Sequence, residues 1–126
     1  MTAAEATVKE GGVIIMLSKA DDGHGGESFH STFKNEKDIK KLMQSFLDRK
    51  PEDTIVDQWQ SQILARVMLK AKVIFVSSAP DELVEDMSMI PAHSLDEAME
   101  KAKAIVNKED YKVTVIPDGV SVIVKE

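Results

Sequence analysis

Val13-Ile14-Ile15-Met16-Leu17-Ser18 is an unbroken apolar run of strand length, with Gly11-Gly12 before it and a polar, glycine-rich stretch after it. Such a run fits a strand buried on both faces, as in a parallel sheet, since only there does every position call for an apolar side chain. Val73-Ile74-Phe75-Val76-Ser77 repeats the pattern. Two helical patterns lie between them. Residues 36–49 set Ile39, Leu42, Met43, Phe46 and Leu47 on one face, and Pro51 stops the run. Residues 54–72 carry the strongest helical signal: Trp59, Ile63 and Val67 recur at every fourth position, flanked by Gln60, Leu64 and Met68.

Further out, residues 2–9 read as a helix capped by Thr2, with Glu5 in the capping-box position and Gly11-Gly12 at its end. Residues 80–87 read as a short helix with Pro80 in its first turn. Ser94-Leu95-Asp96-Glu97 is a capping box that opens a helix over 95–106. Residues 112–116 read as a third strand, Pro117-Asp118-Gly119 as a turn, and residues 120–124 as a last strand. Helices that alternate with strands mark an α/β fold: an open, mostly parallel sheet covered by helices in a Rossmann-like three-layer arrangement. The last two strands are too close in sequence for a crossover, so they are expected as an antiparallel hairpin at one edge.

Composition bounds the function. The chain has 126 residues, enough for one domain, and only 5% aromatics, so aliphatic side chains must fill the core. A net charge of −6 argues against non-specific nucleic-acid binding and against a polybasic membrane patch. The absence of cysteine excludes a disulfide scaffold, a thiolate zinc site and a cysteine nucleophile. No apolar run approaches the roughly 20 residues that span a bilayer, and the first ten residues lack a signal-peptide core, so a cytoplasmic location is the default.

In open α/β sheets ligands gather at the carboxyl ends of the strands. The loop after the first strand reads Asp21-Asp22-Gly23-His24-Gly25-Gly26-Glu27-Ser28. Its glycines permit close ligand approach, but Ser28 stands where a dinucleotide fingerprint needs its third glycine. His24 reads either as a proton carrier in a cleft or as a loop histidine without a role. Trp59 has two readings. Its spacing suits core packing, whereas its place among Asp57, Gln58, Gln60 and Gln62 near a helix start suits a ligand-facing surface. The acidic residues Asp81, Glu82, Glu85 and Asp86 read as a solvated helix face.

Several strings together resemble one family. They are Gly11-Gly12-Val13-Ile14-Ile15-Met16, Asp22-Gly23-His24-Gly25, Asp57-Gln58-Trp59-Gln60-Ser61-Gln62-Ile63-Leu64-Ala65-Arg66, Val73-Ile74-Phe75-Val76-Ser77, Met89-Ile90-Pro91-Ala92, Ser94-Leu95-Asp96-Glu97-Ala98 and Val115-Ile116-Pro117-Asp118-Gly119-Val120. In order and spacing they are similar to the C-terminal domain of the nickel-dependent lactate racemase family. The resemblance covers nearly the whole chain and is most specific in residues 57–66. It implies residues 1–126 as one domain of a longer two-domain 2-hydroxy-acid racemase or epimerase. A nickel pincer nucleotide accepts hydride from the substrate carbon in that family, and histidines move the hydroxyl proton. The resemblance places the proton-transfer histidines, the nickel-ligating histidine and the cofactor-linking lysine in an N-terminal domain, and a Tyr-Gln…Lys substrate segment just upstream of Met1. Whether Met1 is a true start or an internal methionine stays open at this point.

The resemblance therefore carries no catalytic or metal-binding residue onto this chain. It implies that Trp59 faces the interdomain cleft, with Gln58 and His24 as lesser cleft-lining candidates. The expected partners are the N-terminal domain of the same polypeptide and a small 2-hydroxy acid, and the chain alone is expected to be inactive and to hold no cofactor. The alternative is a stand-alone nucleotide- or phosphate-binding module that uses Gly23-His24-Gly25-Gly26. A purely structural oligomerisation domain is a third reading.

Overall fold

A computed structural model of the chain describes residues 1–21, 23–119, Val122 and Val124. The two apolar runs, residues 13–18 and 73–77, lie in adjacent parallel strands, β1 (Gly12–Leu17) and β2 (Ala71–Val76), in register from Gly12 opposite Ala71 to Leu17 opposite Val76. A short third strand, β3 (Ile90–Ala92), pairs in parallel with β2, so the sheet order among the described residues is β1-β2-β3. Parallel neighbours need crossovers. The first crossover is long and runs through α2 (Glu27–Asn35), α3 (Ile39–Leu47), a 3-10 turn (Pro51–Asp53) and α4 (Gln58–Lys70). The second is α5 (Asp81–Asp86), and α6 (Leu95–Val106) follows β3.

The sheet is covered on both faces, which explains why β1 and β2 are apolar throughout. On one face Ile74, Ala92 and Ala98 of α6 are buried together, with Val13, Ile15, Val76 and Ala102 packed around them. On the other, Ile14, Val67, Ala71 and Val73 form a second cluster, joined by Ala4 and Val8 from α1 (Thr2–Thr7) and its end. A third cluster lies farther out, where Phe33, Leu42, Phe46, Leu64 and Ala65 join α2 and α3 to α4. Phe29 meets Phe33 edge-on, with ring centroids 5.5 Å apart.

Local chemistry sets the element ends. Asp38 caps α3 by accepting from the N–H groups of Lys40 (3.0 Å) and Lys41 (3.2 Å), so that helix starts at Ile39 rather than at 36. Ser94 accepts from the Glu97 N–H at 3.1 Å, and Glu97 accepts from the His93 N–H at 2.8 Å, which opens α6 as the capping box requires. The expected Thr2 cap does not form. Thr2 is already helical, the cap position is Met1, and Glu5 turns to Arg66 instead. Gly12 is required for a different reason: a Cβ there would lie 2.7 Å from the Val8 side chain and 2.9 Å from the Lys9 carbonyl oxygen.

The C-terminal hairpin needs correction in its first half. Lys112, Val113, Thr114, Val115 and Ile116 form no strand among the described residues, although their alternation is strand-like. Of its second half, residues 120, 121 and 123 lie outside the described residues.

Candidate functional site at the carboxyl edge of the sheet

Crossover helices run antiparallel to the strands they join, so the N-terminus of α4 lies at the same edge as the carboxyl ends of β1, β2 and β3. His24 stands in the loop that leaves β1, and Gln58 and Trp59 open α4. All three sequence candidates therefore lie at the edge where open α/β sheets bind their ligands. Their side chains do different things.

Trp59 is 62% exposed, so the core-packing reading of its spacing fails. The inward stripe of α4 consists of Gln58, Ser61, Leu64, Ala65 and Val67. Trp59 lies off that stripe, with Met1, Phe29, Gln60, Ile63 and Val67, around an apolar groove of about 220 Å³. Enclosed small-molecule sites run to about 300–1,000 Å³, so the groove by itself is a partial wall rather than a complete pocket.

Gln58 is only 8% exposed, and its Oε1 accepts from Arg49 Nη1 at 2.6 Å. The Arg49 guanidinium in turn lies over the Phe46 ring, 5.9 Å from its centroid. Gln58 therefore braces the start of α4 against the end of α3, while its neighbour Trp59 faces outward. The residue before them, Asp57, takes a left-handed backbone (φ 60°, ψ 14°), and its carbonyl accepts from the N–H groups of Gln60 and Ser61. Left-handed geometry is costly for a residue with a Cβ, least so for Asp and Asn.

His24 is held on both sides. Its ring stacks on His30 of α2 at 4.8 Å and 15°, and its Nδ1 accepts from the Gly26 N–H at 3.2 Å. Gly26 has φ 145°, a conformation open to glycine alone. Helix α2 thus links the candidates: Phe29 reaches the Trp59 groove, and the next residue, His30, lies under His24. The Ser28 hydroxyl donates to the Val56 carbonyl at 3.2 Å and fastens α2 to the chain just before α4. The same details weigh against a phosphate cradle in Gly23-His24-Gly25-Gly26. The Gly26 N–H is already engaged, Lys19 is paired with Asp21 at 3.4 Å, and the Glu27 carboxylate stands in the first turn of α2.

The sequence reading missed one cluster. Asp86, taken as part of a solvated acidic face, is half-buried and receives Lys34 Nζ at 2.8 Å, His30 Nε2 at 3.2 Å and Lys37 Nζ at 3.8 Å. The hydrogen bond from Lys34 holds the Asp86 carboxyl below its usual range, with the Lys34 charge, the His30 hydrogen bond and the Lys37 charge adding to it against the opposing effect of burial. Lys37 also donates to the carbonyls of Glu85 and Asp86 at the end of α5, where a cation suits the helix dipole. No pattern within residues 81–86 marks Asp86 as the inward one, because its partners lie on α2 and just beyond it. Farther along the edge, His93 Nε2 pairs with Asp81 at 2.9 Å. Among the described residues no three His, Asp or Glu side chains come together as a metal-binding set. With His30 committed to Asp86 and His24 Nδ1 to Gly26, this donor arrangement does not fit a nickel centre.

Fold and edge together define an open three-layer α/β domain with an outward-facing tryptophan where such sheets bind ligands. Residues 1–124 match the family described as the lactate racemase C-terminal domain. The chain is 51% identical to the lactate racemase of Thermoanaerobacterium thermosaccharolyticum over 127 aligned residues, which cover 100% of this chain and 30% of that protein. It is also 51% identical to the lactate racemase of Lactiplantibacillus plantarum, over 99% of this chain and 30% of that protein. The structure of the lactate racemase apoprotein from T. thermosaccharolyticum superposes with a TM-score of 0.93 at 52% identity, over 99% of this chain and 30% of that one. The chain belongs to the lactate racemase C-terminal domain family, and it spans 30% of the length of the curated relatives it matches.

Proposed function

We propose that this chain is one domain of a two-domain 2-hydroxy-acid racemase or epimerase, lactate being the first substrate to test. The observation that carries the proposal is the 51% identity, over 99–100% of this chain, to relatives that are lactate racemases. In this reading the domain closes over a nickel pincer cofactor and a small 2-hydroxy acid held mainly by the rest of the polypeptide. Bound there, that cofactor would supply hydride transfer at the substrate carbon. The described residues of this chain do not fit its metal, so no proton-transfer, hydride-transfer or ligating step is assigned to them.

What the chain contributes is a wall. Trp59, Phe29, Ile63 and Met1 offer an apolar surface that excludes water, which strengthens electrostatic interactions within a closed site. Gln58 acts behind that wall, holding the start of α4 through Arg49. His24, braced by His30, is placed at the same edge as a lesser cleft residue. The location proposed is cytoplasmic, without nucleic-acid or membrane partners. The net charge of −6 supports the absence of nucleic-acid and polybasic membrane contacts.

The test is to express the full-length polypeptide, load it with the nickel cofactor, and follow D- and L-lactate by chiral chromatography. Interconversion of the two enantiomers is expected. If neither lactate nor any other small 2-hydroxy acid is racemised or epimerised by the loaded protein, the reading fails.

A further inference from the structure

After α6 the chain changes character. Asn107 closes the helix in the left-handed region (φ 47°), and residues 107–119 then run without helix or strand among the described residues. Their pattern up to Val115 is nevertheless that of a half-buried strand, with Tyr111, Val113 and Val115 alternating with Lys112 and Thr114. The apolar set is exposed, Val113 at 60% and Val115 at 78%. Val122 and Val124, beyond Pro117-Asp118-Gly119, are exposed as well. Among the described residues, none of the three apolar clusters draws a residue from beyond α6. Isolated exposed apolar residues are ordinary on a protein surface, but three at alternate positions of one short segment point to a contact.

We infer that the stripe of Tyr111, Val113 and Val115 is a second docking element, covered by the part of the polypeptide that lies outside this chain. The inference rests on the proposed reading of the chain as one domain of a longer enzyme. Two observations identify the occupant. The relatives match this chain over only 30% of their length, so most of each polypeptide lies elsewhere and is available as cover. The family match nevertheless runs to residue 124, so the ribbon belongs to the shared domain. A second copy of the chain fits less well. Stable dimers engage about 20–30 residues per side, far more than this stripe offers. A partner on the same polypeptide needs less contact, because tethering raises its effective concentration.

Residues 1–126 contain no cysteine, so a thiol introduced among them is read in its own peptide, apart from any cysteine elsewhere in the polypeptide. The full-length protein would carry Val113→Cys or, as a control on the exposed face of α6, Glu100→Cys. Each would be labelled with a maleimide, and the modified peptide quantified by mass spectrometry. The thiol of Val113→Cys is expected to react about 100-fold more slowly than that of Glu100→Cys, as for a site reached only by local opening, and at every protein concentration. Equal labelling rates would overturn the inference. Protection that disappears on dilution would overturn it in favour of a second copy. Val115→Cys gives the same measurement should Val113→Cys fail to fold. Lactate racemisation is assayed separately on the unsubstituted protein, so failure of the racemase reading and failure of the docking inference are told apart.

Discussion

Arg66 holds Glu5 with two parallel hydrogen bonds of 2.7 Å each, Nε to Oε1 and Nη2 to Oε2. Lys70 adds a third tie, donating to the Glu5 carbonyl at 2.6 Å. These contacts matter because α1 has six residues and buries none of them, whereas isolated helices shorter than about 12–15 residues are marginal. Arg66 lies two helical turns beyond Trp59, on the same side of α4. The ion pair therefore lays α1 along α4 and brings Met1 to the Trp59 groove.

The pair should make the attachment of α1 sensitive to acid. The Arg66 hydrogen bond, with the charges of Arg66 and Lys70, holds the Glu5 carboxyl below its usual 4.5 against the opposing effect of burial. In the unfolded chain Glu5 takes up its proton at higher pH than in the native one. The stabilisation is therefore complete above the unfolded value and is lost as pH falls through the native one. Amide exchange in α1 should accelerate as pH falls below about 4.5 once corrected for intrinsic exchange rates, and Glu5→Gln should exchange fast at all pH values. Asp86 and Glu97 are also lowered, so global unfolding should keep part of its acid sensitivity in that variant. A wild-type α1 whose protection does not change with acid would sink this account.

The outer core offers a test of packing. Phe33 is fully buried between α2, α3 and α4 and meets Phe29 edge-on. Phe33→Ala should cost about 3–5 kcal/mol, through lost burial and the cavity left behind. In urea unfolding the midpoint should fall with little change in slope. A loss below about 1 kcal/mol would mean that the cluster collapses into the space or was never tightly packed.

These sites also show what a sequence pattern conveys and where it stops. β1 and β2 were legible because burial on both faces leaves an unbroken apolar run, and α6 because Ser94 and Glu97 mark its start chemically. β3 was not, since Ile90-Pro91-Ala92 is too short for any period, and its proline is tolerated because the strand pairs on one side only among the described residues. α2 escaped notice because it buries a single residue, Phe33. In α4 the periodicity was legible, but by itself it left Trp59 open between the core and an outward, ligand-facing side. The stripe that faces the core includes Gln58 and Ser61, polar residues whose burial depends on Arg49 and on close packing, and this turns Trp59 outward. The Asp86 cluster depends on contacts between helices far apart in sequence, which no local pattern encodes.

The capping box of α6 can be tested without touching the core. The Ser94 hydroxyl accepts from the Glu97 N–H, one of the orphan donors of the first turn. Ser94→Ala should cost about 1 kcal/mol, and Ser94→Gly only a few tenths. Both can be read from denaturant midpoints. If the two variants lose the same stability, the hydroxyl is not acting as a cap.

Trp59→Ala separates the proposed wall from ordinary packing. A buried tryptophan lost to alanine costs about 3–5 kcal/mol, but Trp59 is 62% exposed and touches the domain along one side only. The substitution should therefore cost the fold about 1 kcal/mol or less, as surface changes do. In the full-length, cofactor-loaded protein it should lower kcat/KM for lactate about tenfold or more, by opening the site to water and removing an apolar contact. Trp59→Phe should recover part of that activity, since the smaller ring still covers part of the groove. Stability and racemisation would be measured on the same preparations, with activity normalised to folded protein. If the loss of activity only follows the loss of folded protein, Trp59 supports the fold and forms no wall of the site. If activity falls while the unfolding midpoint stays nearly fixed, the outward face of α4 is part of the site.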